Sequence, residues 1–176
     1  NFVWNYQIKE MYLRYFAWQF IGKGELDWEV KNKDGTIKKY LEGINWTRYI
    51  VPFAFILGIL GFFYHFRNDH LRAISIFSLF IATGILIILY LNQYDPQPRE
   101  RDYSYVGSFF AFSIWIGIGT YAAIDFLSDK IKSVIKTDQS NLIIAIILFI
   151  LMPINILAKD LHSHDRSGNF VAWDYA

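Results

Sequence analysis

Arg99 and Arg101 stand two positions apart in the stretch Asn92–Tyr103, with Asp95, Glu100 and Asp102 around them. A guanidinium group keeps its charge at any working pH and holds phosphate or pyrophosphate through paired N–H donors. Pro96 and Pro98 stiffen the same stretch and would hold the two forks in place. The three acids can orient the arginines or supply a base, and Tyr103 closes the stretch as a further supporting residue. The chemistry such a group suits is capture of a charged phosphate head group. A plainer role fits as well: a surface salt-bridge loop that anchors helix ends, since exposed ion pairs are common and weak.

A second cluster lies in Leu161–Gly168, where His162, His164, Asp165 and Arg166 fall together. Two histidines two apart share no helical face and match no familiar zinc spacing, so no metal site is expected. His164, Asp165 and Arg166 can contact a phosphate or a sugar hydroxyl. They equally suit a capped turn, with Asp165 or Ser167 bonding backbone amides.

Composition narrows the classes. Of 176 residues, 54% are hydrophobic and 19% aromatic, above the usual soluble domain. The net charge of +1 gives no case for a nucleic-acid partner. There is no cysteine, which removes thiol nucleophiles and cysteine-held metals. No P-loop, nucleophile elbow or Gly-rich dinucleotide motif is present. A chain that opens on Asn1 and stops at Ala176 after an aromatic run is read as a piece of a longer protein.

Four apolar runs must position these clusters: about 49–66, 73–94, 103–127 and 142–158. As helices they span roughly 25–37 Å, against a hydrocarbon core of about 30 Å. The expected fold is therefore all-α and polytopic, four transmembrane helices in residues 46–158. No Asp, Glu, Lys, Arg or His falls mid-run, which argues against ion-coupled transport through them. Pro52 suits a first turn, and Pro153 predicts a kink. Gly58, Gly61, Gly84, Gly117 and Gly119 permit close helix packing. Within residues 1–45, Gln7–Ile21 has Ile8, Met11, Tyr12, Tyr15 and Phe16 at helical spacing, with Lys9, Glu10, Arg14 and Gln19 elsewhere. It reads as a helix lying in the membrane interface, or as the end of a preceding span. Trp28–Val30 and Thr36–Ile37 around Asn32–Gly35 predict a small hairpin with an Asp-Gly turn. Residues 159–176 read as the start of a following extracytoplasmic soluble domain.

Four spans put both ends and the 95–102 loop on one side. Loops 65–72 and 128–141 then lie on the other. The basic residues of the loops and tail divide five to four in favour of that second side, and the polar N-terminal segment reverses the count.

Three separated segments resemble a large family of bacterial membrane proteins, the protein O-mannosyltransferase-like group also called glycosyltransferase family 117. They are Met11–Gly22 (MYLRYFAWQFIG), Asp95–Tyr103 (DPQPRERDY) continued by Val106–Gly117, and His164–Gly168 (HDRSG). The resemblance implies a multi-pass inner-membrane enzyme of the GT-C type. Such an enzyme passes a mannose-like sugar from a polyprenyl-phosphate carrier to a protein or other acceptor outside the cytoplasm. The Arg99 loop and both ends of the chain would then be periplasmic, and membrane lipid, lipid-linked donor and protein acceptor would be the partners. No cofactor beyond that donor substrate is implied. The family's catalytic acid lies in an earlier external loop, so no catalytic residue is assigned here, and this piece alone is expected to be inactive. Arg99 and Arg101, with Arg166, would stabilise the leaving phosphate. The competing expectation is a non-catalytic scaffold or subunit of an envelope complex, its charged loops serving as docking surfaces.

Overall fold

A computed structural model of the chain describes residues 2–24, 28–94, 101–132 and 140–164, and these are mostly helical. Helix α1 runs through Val3–Leu13, wound as a π-helix, and Arg14–Phe20, wound as an α-helix. Tyr6, Gln7, Glu10, Met11, Arg14 and Tyr15 recur at the three-to-four-residue spacing of one helical face, and all are buried. The helix stops at Gly22, whose N–H donates back to the Ala17 carbonyl (3.0 Å). Its φ of +149° disfavours any residue with a Cβ.

A small hairpin follows. Strand β1 (Trp28–Lys31) pairs antiparallel with β2 (Ile37–Leu41), from Trp28↔Leu41 to Lys31↔Ile37, with an irregularity between Val30 and Lys31. Gly35 takes φ +85° in the turn, and the Thr36 hydroxyl and amide donate to the Asp34 carboxylate (2.6 and 3.0 Å).

Helices α2 (Phe53–Asn68) and α3 (His70–Leu91) are separated by Asp69 alone. Asp69 leaves the helical region at φ −146°, and its carboxylate caps α3 by accepting from the Arg72 amide (3.2 Å). The two helices fold back on each other, with Phe62 and Phe66 against Phe77. A π-helical turn, Ala82–Leu86, interrupts α3 where Tyr12 packs on Gly84. After α3, a 3-10 turn (Asp102–Tyr105) leads into α4 (Val106–Lys132). Helix α4 runs beside α2 in the same direction, with Phe55 near Phe112, Phe62 on Trp115 and Tyr64 on Tyr121. Helix α5 (Ser140–His164) packs on α4.

Two aromatic clusters form the core. Tyr6, Met11, Tyr12, Tyr15, Ile88 and Tyr105 fill one, and Phe20, Phe112 and Trp115 the other, with Phe16, Phe80 and Phe109 between them. Much of the outward surface is apolar: Phe63, Leu71, Phe110 and Phe149 are all exposed.

Several sequence expectations change. Two helices, α3 and the stretch Asp102–Ser128, are long and apolar enough to cross a membrane. Helix α2 begins at Phe53, not at Tyr49, and its 16 residues reach only roughly 24 Å against a core of about 30 Å. The loop expected over His65–Arg72 shrinks to Asp69, because a capping carboxylate lets helix restart at once. Helix α5 runs through Pro153 and ends at His164, six residues beyond the expected limit of 158. Glu10 and Arg14, expected off the apolar face of α1, lie on its buried face. Gly58, Gly61, Gly84 and Gly119 sit in close contacts, whereas Gly117 faces open space.

Candidate functional site

One end of the bundle carries a network of polar side chains that links several elements. It is built where α1, the C-terminal end of α3 and the turn before α4 meet. Helix α3 ends because Asn92 adopts the left-handed region (φ +40°), which asparagine tolerates better than most residues. Its side-chain oxygen accepts from Gln7 Nε2 (2.8 Å), and the Tyr6 hydroxyl donates to the Tyr94 carbonyl (2.8 Å). These two bonds fasten the start of α1 to the end of α3.

Arg14 is the centre of the next layer. It is 1% exposed and Glu10 is 3% exposed. Arg14 Nε donates to the Glu10 carbonyl (3.1 Å), and its terminal nitrogen makes a long contact to the Glu42 carbonyl (3.5 Å). The guanidinium plane lies 4.6 Å from the Tyr15 ring centre and 4.5 Å from that of Trp18. Burial of so polar a group is tolerable because stacking and hydrogen bonds replace water. Trp18 Nε1 in turn donates to the Gly43 carbonyl (2.7 Å), and Lys23 covers the Trp18 ring and pairs with Glu42. The strand-proximal segment is thereby pinned to α1.

The turn before α4 supplies the remaining groups. Arg101 precedes it, and its carbonyl accepts from the Ser104 amide (3.1 Å). Tyr105 ends it, fully buried, its ring edge-on to Tyr12 (5.8 Å) and tilted on Tyr15 (6.1 Å). The Ser108 hydroxyl donates to the Tyr105 carbonyl (2.8 Å). Among the described residues, Arg101 Nε, the Tyr105 hydroxyl and Gln93 Oε1 are enclosed without a hydrogen-bond partner. Nor does Arg101 form an ion pair among them.

The same end carries a tie to α5. Arg48 donates to Asp160 Oδ1 (2.5 Å), and the Tyr49 hydroxyl donates to Asp160 Oδ2 (2.7 Å). A further Arg48 nitrogen donates to the Lys23 carbonyl (3.0 Å). The bond to Asp160 raises the Arg48 guanidinium above its usual range, outweighing partial burial. Burial, then the bond to Asp160, pushes the Tyr49 phenol above its ordinary value.

Of the residues singled out from sequence, Arg101 and Asp102 are half-buried at this end, and Tyr103 is exposed. Asp95, Arg99, Glu100, Asp165 and Arg166 lie outside the described residues, and His164 closes α5. Sequence reasoning missed Glu10, Arg14, Tyr105 and Asp160. The signal for Arg14 was present, since it falls three residues after Met11 and four before Trp18 on one helical face. Among the described residues no group of three His, Asp or Glu side chains is placed to hold a metal ion.

Comparison with family models, with curated proteins and with solved structures gives no match.

Proposed function

We propose that this chain is the membrane region of a glycosyltransferase. It would take a mannose-like sugar from a polyprenyl-phosphate donor and pass it to a protein or other acceptor outside the cytoplasm. In this reading α2 to α5 are four spans of a bacterial inner membrane. The bundle end bearing Arg101, together with both ends of the chain, faces the periplasm. The exposed Phe63, Leu71, Phe110 and Phe149 then meet lipid.

The observation that carries the reading is Arg101: a cation at the polar end of an apolar bundle, with no carboxylate paired to it among the described residues. Of the three segments that resemble the family, Met11–Gly22 meets the Arg101–Tyr105 turn through Tyr12 and Tyr15. The third begins where α5 ends, four residues beyond Asp160, which is tied to Arg48.

The reaction breaks the bond between the sugar's anomeric carbon and the carrier phosphate oxygen, and forms one to the acceptor hydroxyl. The hydroxyl proton goes to a general base, and the carrier phosphate leaves as an anion. Fixed cations such as Arg101 lower the barrier by meeting the charge that develops on that leaving group. The test is sugar transfer from a polyprenyl-phosphate donor by the full-length protein and by its Arg101→Gln variant. Transfer that falls at least tenfold in a folded variant supports the reading. Transfer by neither protein with a range of donors moves it to a non-catalytic envelope scaffold.

A further inference from the structure

Arg101 Nε and the Tyr105 hydroxyl are enclosed side-chain donors without a partner among the described residues, as are the Tyr12 hydroxyl, Arg48 Nε and Trp115 Nε1. Buried donors are nearly always paired, so an unpaired one points to a missing partner. Arg101 and Tyr105 stand at the two ends of one short turn.

Tyr105 cannot turn away to find water. Its side chain is 0% exposed and clasped by the Tyr12 and Tyr15 rings, which fixes the direction of the hydroxyl. Arg101 is only half-buried, so the pair is approached from the bundle end through Arg101. A neutral acceptor would satisfy the phenol but would leave the guanidinium charge without a counter-ion. An anionic oxygen satisfies both.

We propose that Arg101 and Tyr105 form a two-donor site for one phosphate oxygen of a lipid-linked phosphate, with Tyr105 as a binding residue in its own right. The proposal rests on the donor-site reading of Arg101 above. Tyr105 would add direction to what the arginine supplies as charge: its rigid ring holds one O–H at a set angle, so the phosphate is oriented as well as held.

The experiment is equilibrium binding to the purified full-length protein in detergent, with polyprenyl monophosphate, polyprenol and inorganic phosphate as three separate probes. Tyr105→Phe keeps the ring and its packing, and equal melting temperatures establish that the variant is folded. Polyprenyl monophosphate should bind about tenfold more weakly to Tyr105→Phe, and at least as much more weakly to Arg101→Gln. The double variant should lose less than the product of the two, because the donors share one oxygen. Polyprenol binding should be unchanged throughout. Wild-type affinity of Tyr105→Phe for the lipid phosphate, beside a loss in Arg101→Gln, would remove Tyr105 from the site and leave the Arg101 reading standing. Lipid phosphate bound by the parent no more tightly than polyprenol would overturn both. Inorganic phosphate bound as tightly as the lipid phosphate would overturn the lipid-linked assignment while keeping the pair.

Discussion

The backbones of Gly61 and Gly119 touch across the α2–α4 contact. A Cβ on Gly61 would come within 2.6 Å of the Gly119 amide nitrogen, and one on Gly119 within 2.8 Å of that of Gly61. Both would also run into backbone carbonyl oxygens, of Trp115 and Leu57 respectively. Backbone cannot rotate aside as a side chain can. Gly61→Ala and Gly119→Ala should therefore each destabilise the folded protein by at least about 1–3 kcal/mol. Gly117→Ala, facing open space one turn-half away, should cost nothing measurable. Thermal melting of the three variants in the same detergent checks this, and a Gly61→Ala protein as stable as the parent would refute the contact.

Arg14→Lys should be poorly tolerated although it keeps the charge. An ammonium cannot stack between Tyr15 and Trp18 or donate from a planar fork to the Glu10 carbonyl. The expected loss is on the order of 2 kcal/mol, set by an unmet hydrogen bond in a buried place. Melting temperature and folded yield read it out, and a neutral Arg14→Lys substitution would mean that charge alone suffices there.

Trp18→Phe should free the segment around Gly43. It removes the bond from Nε1 to the Gly43 carbonyl (2.7 Å) while leaving a ring for Arg14 and Lys23. The expected cost is about 1 kcal/mol, with faster amide exchange at Gly24, whose N–H also donates to that carbonyl (2.9 Å). Unchanged exchange at Gly24 would show that the strand pairing holds the segment without Trp18.

The tie at Asp160 should fail in alkali. Tyr49 has a folded pKa raised above its ordinary 10.0 by burial and then by Asp160. A raised pKa means that the protonated phenol is favoured in the fold, so its contribution is complete below about pH 10 and is lost as pH rises through the folded value. Arg48 is raised as well and stays charged across that window. Protease sensitivity of residues 22–50 should be flat from neutral pH to about 10 and climb beyond it, using an alkali-stable protease. In Tyr49→Phe that alkaline rise should be missing.

The apolar length of α3 and of the stretch Asp102–Ser128 was legible in the sequence because lipid-length hydrophobic runs need no partner to be recognised. The Asp34–Gly35 turn was legible because φ near +85° has few tenants. The junction of α2 and α3 was not. His65, Arg67, Asn68, Asp69, His70 and Arg72 look like loop letters, yet only Asp69 leaves the helix, since its carboxylate supplies the cap that restarts it. Arg14 and Glu10 were misplaced because charged residues are usually solvated; for Arg14 the Tyr15 and Trp18 rings and the Glu10 and Glu42 carbonyls reverse that rule. The candidate site was half legible. Arg101 belongs to the stretch that stood out, but Tyr105 becomes interesting only once Tyr12 and Tyr15 close around it. Asp160 carried no local signal at all, its partners lying more than a hundred positions away.

That separation has a bearing on synthesis. A ribosome releases Arg48 and Tyr49 long before Asp160, 112 and 111 positions later. The polar N-terminal segment must wait without its last anchor until α5 has been made and delivered to its place beside α4. Closing so long a loop is entropically slow, and contacts of this range form late. The tie of Arg48 and Tyr49 to Asp160 is thus made last, and a nascent chain halted before α5 would have every aromatic of the core in hand and still lack that anchor.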